Sequence, residues 1–258
     1  FTDGIISGLI QKNSDTSSQF QPGLVLNDYA NGRKTLEFIL DNLSTCNSFR
    51  MAVAFVTRSG VACLHQSLKE FGEEGGTGEF LVSTYLNFSD PSAIKALTKF
   101  DGIKVGFVKA PNFHGKTYLF EHDNYAQIMV GSSNLTQNAL GRNTEVNLGI
   151  CAQRQSRLYE QTLNQMDYWS GKSETVSQAN LEAYAEAWKA SKQKIRSTPM
   201  AIVPEEILAE ISQVLPTEMT TDKLKPNQMQ IPALKGLEKV RSSGHSRSLV
   251  ISATGTGK

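Results

Sequence analysis

Between His114 and Glu145 the chain gathers side chains suited to phosphoryl transfer. They run His114-Gly115-Lys116, then Gln127-Ile128-Met129-Val130-Gly131-Ser132-Ser133-Asn134, then Asn143-Thr144-Glu145. Histidine can serve as a nucleophile or as an acid near neutral pH. A lysine beside it supplies a compact positive charge for phosphate oxygens. Ser132 and Asn134 can donate hydrogen bonds to the remaining oxygens, and Glu145 can hold the ring nitrogen of His114 that does not react. Alone, His-x-Lys is a weak signal that a solvated histidine beside a lysine also produces.

These residues need a scaffold that brings them to one edge. Tyr118-Leu119-Phe120 and Gln127 to Val130 are apolar-rich runs with aromatic or β-branched residues, each ending in small polar ones. That composition predicts two adjacent strands carrying polar side chains to the edge of a sheet. Upstream, Leu36, Ile39, Leu40 and Leu43 recur at helical spacing, and Phe49 to Val56 reads as a strand buried on both faces. A helix over Ser59 to Phe71, a strand over Phe80 to Leu86, a helix over Pro91 to Phe100 and a strand over Val105 to Val108 follow, with Pro91 placed for a first helical turn. This alternation predicts helices packed on a mostly parallel sheet. Leu148 to Cys151 forms a further short strand candidate. Helices are expected over Leu158 to Trp169, ended by Gly171, over Leu181 to Ile195, and between Pro204 and Pro216. Ile5, Ile6, Leu9 and Ile10 suggest a short helix near the N-terminus.

The full order of His-x-Lys, Gly-Ser-x-Asn one strand later and a following carboxylate resembles the phospholipase D superfamily. The resemblance implies cleavage of phosphodiesters through a phosphohistidine, with His114, Lys116, Ser132, Asn134 and Glu145 as site residues. It implies an α/β fold, a mixed sheet flanked by helices, here followed by a helical C-terminal extension. The family pattern has an aspartate where this chain has Glu121, which puts that position's supporting role in question. The mechanism this resemblance implies has one histidine attack phosphorus and a second protonate the leaving oxygen, yet this chain has a single His-x-Lys. His65, His122 and His245 lack the downstream pattern and read as surface, cap or turn residues. A homodimer completing a shared site is therefore expected.

The tail carries a second resemblance. Leu224-Lys225-Pro226-Asn227-Gln228 precedes Ser248 to Lys258, a β-rich run that ends in Gly255-Thr256-Gly257-Lys258. Glycines let backbone N–H groups approach phosphates. The tail resembles the opening of a superfamily 2 helicase motor, with Gln228 reading adenine and Gly255, Gly257 and Lys258 in its nucleotide loop. Together with the His114 region it resembles bacterial DEAD/DEAH-type helicases, restriction-enzyme-like, that begin with a phospholipase D-like nuclease domain. The implied division is a nuclease domain at 1–151, a helical extension at 152–221 and the truncated start of a motor at 222–258. The resemblance implies that ATP and magnesium serve the motor of the full-length protein alone and that the nuclease chemistry needs no metal.

Composition narrows the classes. The chain has 258 residues, is 39% hydrophobic and 20% charged, and suits a globular protein with a substantial core. Lys and Arg total 26 against 25 Asp and Glu, so any DNA contact must rest on local charge, for which Lys104, Lys109, Lys116 and Arg142 are candidates. Cys46, Cys63 and Cys151 form neither a disulfide framework nor a zinc spacing. No apolar run reaches bilayer length and no signal-peptide pattern opens the chain, so a cytoplasmic protein is expected. Two alternatives to a nuclease stand beside it: a catalytically weak module that binds DNA or a partner for the helicase, and a lipid phosphodiesterase.

Overall fold

The computed structural model describes residues 2–5, 20–27, 34–197 and Ser242. The expected helix between Pro204 and Pro216, and Gln228, Gly255, Gly257 and Lys258, lie outside the described residues, as do Ile6, Leu9 and Ile10. A short helix α1 (Thr2–Ile5) opens the chain.

The centre is a mixed eight-stranded sheet: β1 (Gly23–Leu26), β2 (Ser48–Val53), β3 (Thr77–Ser83), β4 (Ile103–Val108), β5 (Lys116–Glu121), β6 (Tyr125–Gly131), β7 (Val146–Gln153) and β8 (Ser173–Thr175). Their spatial order is β1-β7-β6-β5-β2-β3-β4-β8. Only β2-β3 and β3-β4 pair in parallel; the other neighbours are antiparallel. The expectation of a mostly parallel sheet is thus corrected. Helical crossovers impose parallel pairing only where they occur, between β2, β3 and β4, while β5 and β6 are joined by a tight turn that forces an antiparallel hairpin.

Helices form where the periodicity places them. The helix α2 (Thr35–Leu43) buries Phe38, Ile39 and Leu43. Next comes α3 (Arg58–Glu73), which buries Val61, Leu64 and Leu68 and is capped by Thr57, whose hydroxyl accepts from Gly60 N at 3.2 Å. The next helix, α4 (Pro91–Leu97), has Asp90 accepting from Ser92 N at 2.8 Å and Pro91 in its first turn. A short α5 (Gln137–Gly141) follows β6; α6 (Arg157–Gly171) and α7 (Gln178–Ser197) close the described chain.

Two apolar cores lie on opposite faces of the sheet. Phe49, Met51, Phe80, Phe107, Tyr118 and Phe120 meet α2, α3, α4 and α7 on one face, with Leu181 and Tyr184 from α7. On the other, Ala52, Leu81, Leu119 and Ile128 meet Tyr159 and Met166 of α6. Each fully buried aromatic contributes about 1.5–3 kcal/mol of transfer free energy. The alternation of faces along β2 and β5 is what a strand covered on both sides requires.

The strand expected over Phe80 to Leu86 ends earlier, at Ser83. Tyr85–Asn87 form a 3-10 turn, and Leu86 and Asn87 take left-handed backbone conformations with φ of 56° and 53°. Strands β1 and β8 have too few residues to show periodicity, and neither was expected.

Candidate active site

Topology assembles the motif. The parallel strands β2, β3 and β4 end at the same sheet edge at which β5 begins, β6 ends and β7 begins. Residues at Val53 to Phe55, Ser83 to Tyr85, His114 to Lys116, Gly131 to Asn134 and Glu145 therefore meet there, although they are spread over some 90 positions of sequence. In sheets of this kind the carboxyl edge of the parallel strands is the usual site of ligand binding.

His114 is exposed, on the segment entering β5, and Lys116 is buried at the first position of that strand. Lys116 Nζ lies 2.9 Å from His114 Nδ1, 3.2 Å from Nε2 and 3.2 Å from the His114 carbonyl oxygen. An ammonium can only donate, so the ring nitrogen that receives it presents its lone pair. The rings of Phe55 and Tyr85 stand steeply inclined to the imidazole, at 70° and 78°, with centroids at 5.5 Å and 6.5 Å.

Ser132 and Glu145 come together at the neighbouring strand ends. Ser132 Oγ donates to Glu145 Oε2 and accepts from Val146 N at 3.0 Å, which binds the end of β6 to the start of β7. Glu145 is buried, and a buried carboxylate has to be received by donors. Its charge is felt by Tyr118, whose phenol is pushed well above its ordinary value, first by complete burial and then by Glu145. Glycine at 131 is required by packing: a Cβ there would run into the Val146 carbonyl and Asn147 of β7.

Asn134 is fully buried, and its Oδ1 accepts from Phe55 N at 3.1 Å. That bond ties the motif loop to the end of β2 and to the ring that abuts His114. Leu135 N donates to Phe55 O at 3.0 Å and Thr57 N to Leu135 O at 3.1 Å, which continues the attachment.

A second layer escaped the reading of the sequence. Asn147 Oδ1 accepts from Ser133 N at 3.1 Å, while its Nδ2 donates to Ser133 Oγ at 2.9 Å, Thr35 Oγ1 at 3.1 Å and Val25 O at 3.3 Å. Tyr118 Oη donates to Ser133 O at 2.9 Å. Asn27 Oδ1 accepts from Thr35 N at 3.1 Å, and its Nδ2 donates to the carbonyls of Ala139 and Asn143. A buried polar network of this kind fixes the motif loop. Its only local signal was the shared parity of Glu145 and Asn147, which puts both on the same side of β7.

Glu121 stands at the far end of β5 from Lys116, roughly 16 Å away along the strand at about 3.3 Å per residue. There it receives Tyr159 Oη of α6, Arg154 at 2.9 Å and Ser48 Oγ at 2.9 Å. Burial pushes its carboxyl up, but those three donors outweigh it and hold the group below the usual carboxylate range. The departure from aspartate therefore lies in an anchor for α6 and away from the His114 edge.

Of the other histidines, His122 is buried, stacks on Tyr125 at 4.4 Å and faces Thr45 O and Asn42 Oδ1; burial lowers its pKa. His65 packs edge-on against Phe100. His245 is outside the described residues. Of the candidate cations, Lys104 stands near the start of β4, at the opposite edge, while Lys109 directly follows the end of β4 and pairs with Glu174 at 3.1 Å. A polar cavity of about 480 Å³ at that opposite edge is lined by Arg50, Glu79, Lys104 and Glu121, and Arg50 is already held by Asp167 and Glu79. Among the described residues no group of three or more His, Cys, Asp or Glu could hold a metal ion, and Cys46, Cys63 and Cys151 are free thiols. No helix among them is long and apolar enough to cross a membrane.

Residues 49–168 match the family model described as cardiolipin synthase, PLD-like domain. Among solved structures, phosphatidylserine synthase from Haemophilus influenzae is 15% identical with a TM-score of 0.52, covering 76% of this chain and 47% of that one. NucT from Helicobacter pylori is 19% identical with a TM-score of 0.49, covering 61% and 99%. The phospholipase D family member Nuc from Salmonella typhimurium is 19% identical with a TM-score of 0.48, covering 60% and 97%. A comparison with curated proteins found no match. The fold is phospholipase D-like.

Proposed function

We propose that this chain is a metal-independent phosphodiesterase acting on DNA through a phosphohistidine, as the nuclease part of a larger helicase-linked enzyme. The observation that carries the reading is the meeting of His114 with the buried Lys116 ammonium, 2.9 Å from Nδ1, on the edge that also holds Ser132 and Glu145. A ring nitrogen of His114 attacks phosphorus and displaces one ester oxygen, which leaves with a proton supplied by a second histidine. Water, giving up a proton to that second histidine, then attacks the phosphohistidine and frees His114. Lys116 offsets the charge that gathers on the phosphoryl oxygens, and the Ser132 and Asn134 loop stands beside it.

The second histidine is the same residue of a second copy. Leu24, Leu148 and Val130 are direct cross-strand partners on β1, β7 and β6, and with Val146 they are 45–60% exposed on one face. An uncovered apolar row this close to Ser132 and Glu145 fits an isologous interface that brings two His114 edges together. The tail residues Gln228, Gly255, Gly257 and Lys258 support the helicase reading by sequence, with ATP and magnesium serving that motor.

A non-catalytic binding module had Glu121 in its favour, and the location of Glu121 at the α6 anchor removes that support. The deciding experiment compares parental and His114→Ala chains on bis(p-nitrophenyl) phosphate and on DNA. Cleavage by the parental chain and its loss in the variant is the expected result; equal rates would reject the assignment.

A further inference from the structure

The turn after β3 departs from ordinary backbone geometry. Leu86 and Asn87 are two consecutive non-glycine residues in the left-handed region. Asparagine tolerates that region and leucine does not, so the surroundings must hold the turn in place. They do so from several sides. Ser83 Oγ accepts from Tyr85 N at 3.0 Å and donates to the Phe113 carbonyl at 2.8 Å, which joins the turn to the residue before His114. Asn87 Nδ2 donates to Ser191 Oγ of α7 at 3.1 Å, and Tyr184 Oη donates to the Ser89 carbonyl at 3.0 Å. Ser89 Oγ donates to Ala54 O at 3.3 Å, and Asp90 N donates to Val56 O at 2.8 Å, just past the end of β2.

What this bracing presents is Tyr85. Its ring stands 6.5 Å from the imidazole of His114, at 78° to it, and is partly exposed. Its hydroxyl has no hydrogen-bond partner among the described residues. The other ring beside His114, Phe55, is fully buried and cannot meet a ligand. An aromatic face beside a phosphate-directed histidine and lysine lies where a group a few bonds from the phosphorus would fall. Bases stack on such faces without regard to sequence. A base can do so only when it is unstacked and unpaired, which a duplex does not allow without extrusion.

We propose that Tyr85 is a specificity-determining residue that makes this site take an unpaired nucleotide, its base stacked on the Tyr85 ring while the adjoining phosphate meets His114. The proposal rests on the phosphodiesterase reading and names its substrate class as single-stranded nucleic acid.

Two p-nitrophenyl phosphodiesters test it, one of thymidine and one of its abasic analogue, which share leaving group and sugar and differ only in the base. The parental chain is expected to favour the thymidine ester by about tenfold in kcat/KM, the size of one base–aromatic stack. In Tyr85→Ala that ratio falls close to one, and Tyr85→Phe keeps it. A parental ratio near one, or a Tyr85→Ala ratio equal to the parental one, overturns the proposal; so does a Tyr85→Ala loss that is equal for both esters, since that is a structural effect. Fluorescence anisotropy on His114→Ala chains, with single-stranded oligonucleotides bearing normal or abasic residues, gives the same comparison without chemistry. If the parental chain cleaves nothing, the catalytic reading fails, and Tyr85-dependent discrimination in binding still decides this proposal: its presence supports it and its absence overturns it.

Discussion

His114 and Lys116 differ in exposure, and that difference fits their proposed work. The lysine is buried where its ammonium has to be received by neighbours, and the histidine is exposed where a phosphodiester can reach it. His114→Ala is expected to reduce phosphodiester cleavage by about 10⁶-fold, the scale seen when a nucleophile is removed, with an unchanged circular dichroism spectrum. Glu145→Gln keeps the size of the side chain and its bond to Ser132 but loses the charge, so a smaller fall of roughly 10²-fold is expected in kcat. EDTA is expected to leave the parental rate unchanged, because side chains alone face the phosphoryl oxygens in this mechanism. Cleavage lost in EDTA and restored by magnesium or manganese would reopen a metal-dependent route.

At the scale of elements, the site depends on close contacts between backbones. Gly60, in the first turn of α3, lies so near the Leu135 carbonyl that an added Cβ would strike it. Glycine to alanine normally favours a helix by up to about 1 kcal/mol. Here Gly60→Ala is expected to destabilise by about 1–3 kcal/mol through overpacking, read as a lower denaturant midpoint. A gain in stability would show that α3 does not press on the motif loop. Glu121 gives a pH test of the α6 anchor. Its folded pKa lies below the unfolded value of about 4.3, so its contribution is fully present above that pH and is lost as pH falls through the lower folded value. Glu121→Gln should therefore cost roughly 1.5–3 kcal/mol at pH 7, the worth of hydrogen bonds to a charged group, and progressively less in acid. A cost that does not change with pH would mean that the charge is not what holds α6.

For the whole molecule, the mechanism asks for two histidines at one phosphate and the described edge supplies one. Leu148→Glu places a charge in the middle of the Leu24, Leu148 and Val130 row, and is expected to shift sedimentation from dimer to monomer with activity falling in parallel. Because Leu148 is exposed, the monomer should keep its melting temperature. Mixing equal amounts of parental and His114→Ala chains, allowed to exchange, should leave about a quarter of the activity if both histidines are shared across a two-fold axis. Half would remain if each chain acted alone, and that outcome would reject the shared site.

The sequence by itself determined most of the elements and singled out the polar residues that the fold gathers at one sheet edge. His114, Lys116, Ser132 and Glu145 were legible as candidates because few residue types suit the proposed phosphoryl transfer, and α2, α3, α4 and α6 because an amphipathic helix must repeat its apolar residues every three or four positions. The mixed sheet followed from the family resemblance, but the tertiary structure alone decided which strands pair in which direction, since strand neighbours depend on contacts between distant segments that local periodicity does not encode. It alone placed Glu121 at the α6 anchor, a full strand length from Lys116. It also brought Thr35, Asn27 and Asn147 beneath the motif and Tyr85 beside His114. Hydrogen-bond partners far apart in sequence leave no spacing rule to read, and a left-handed leucine is sustained only by the neighbours that the fold supplies.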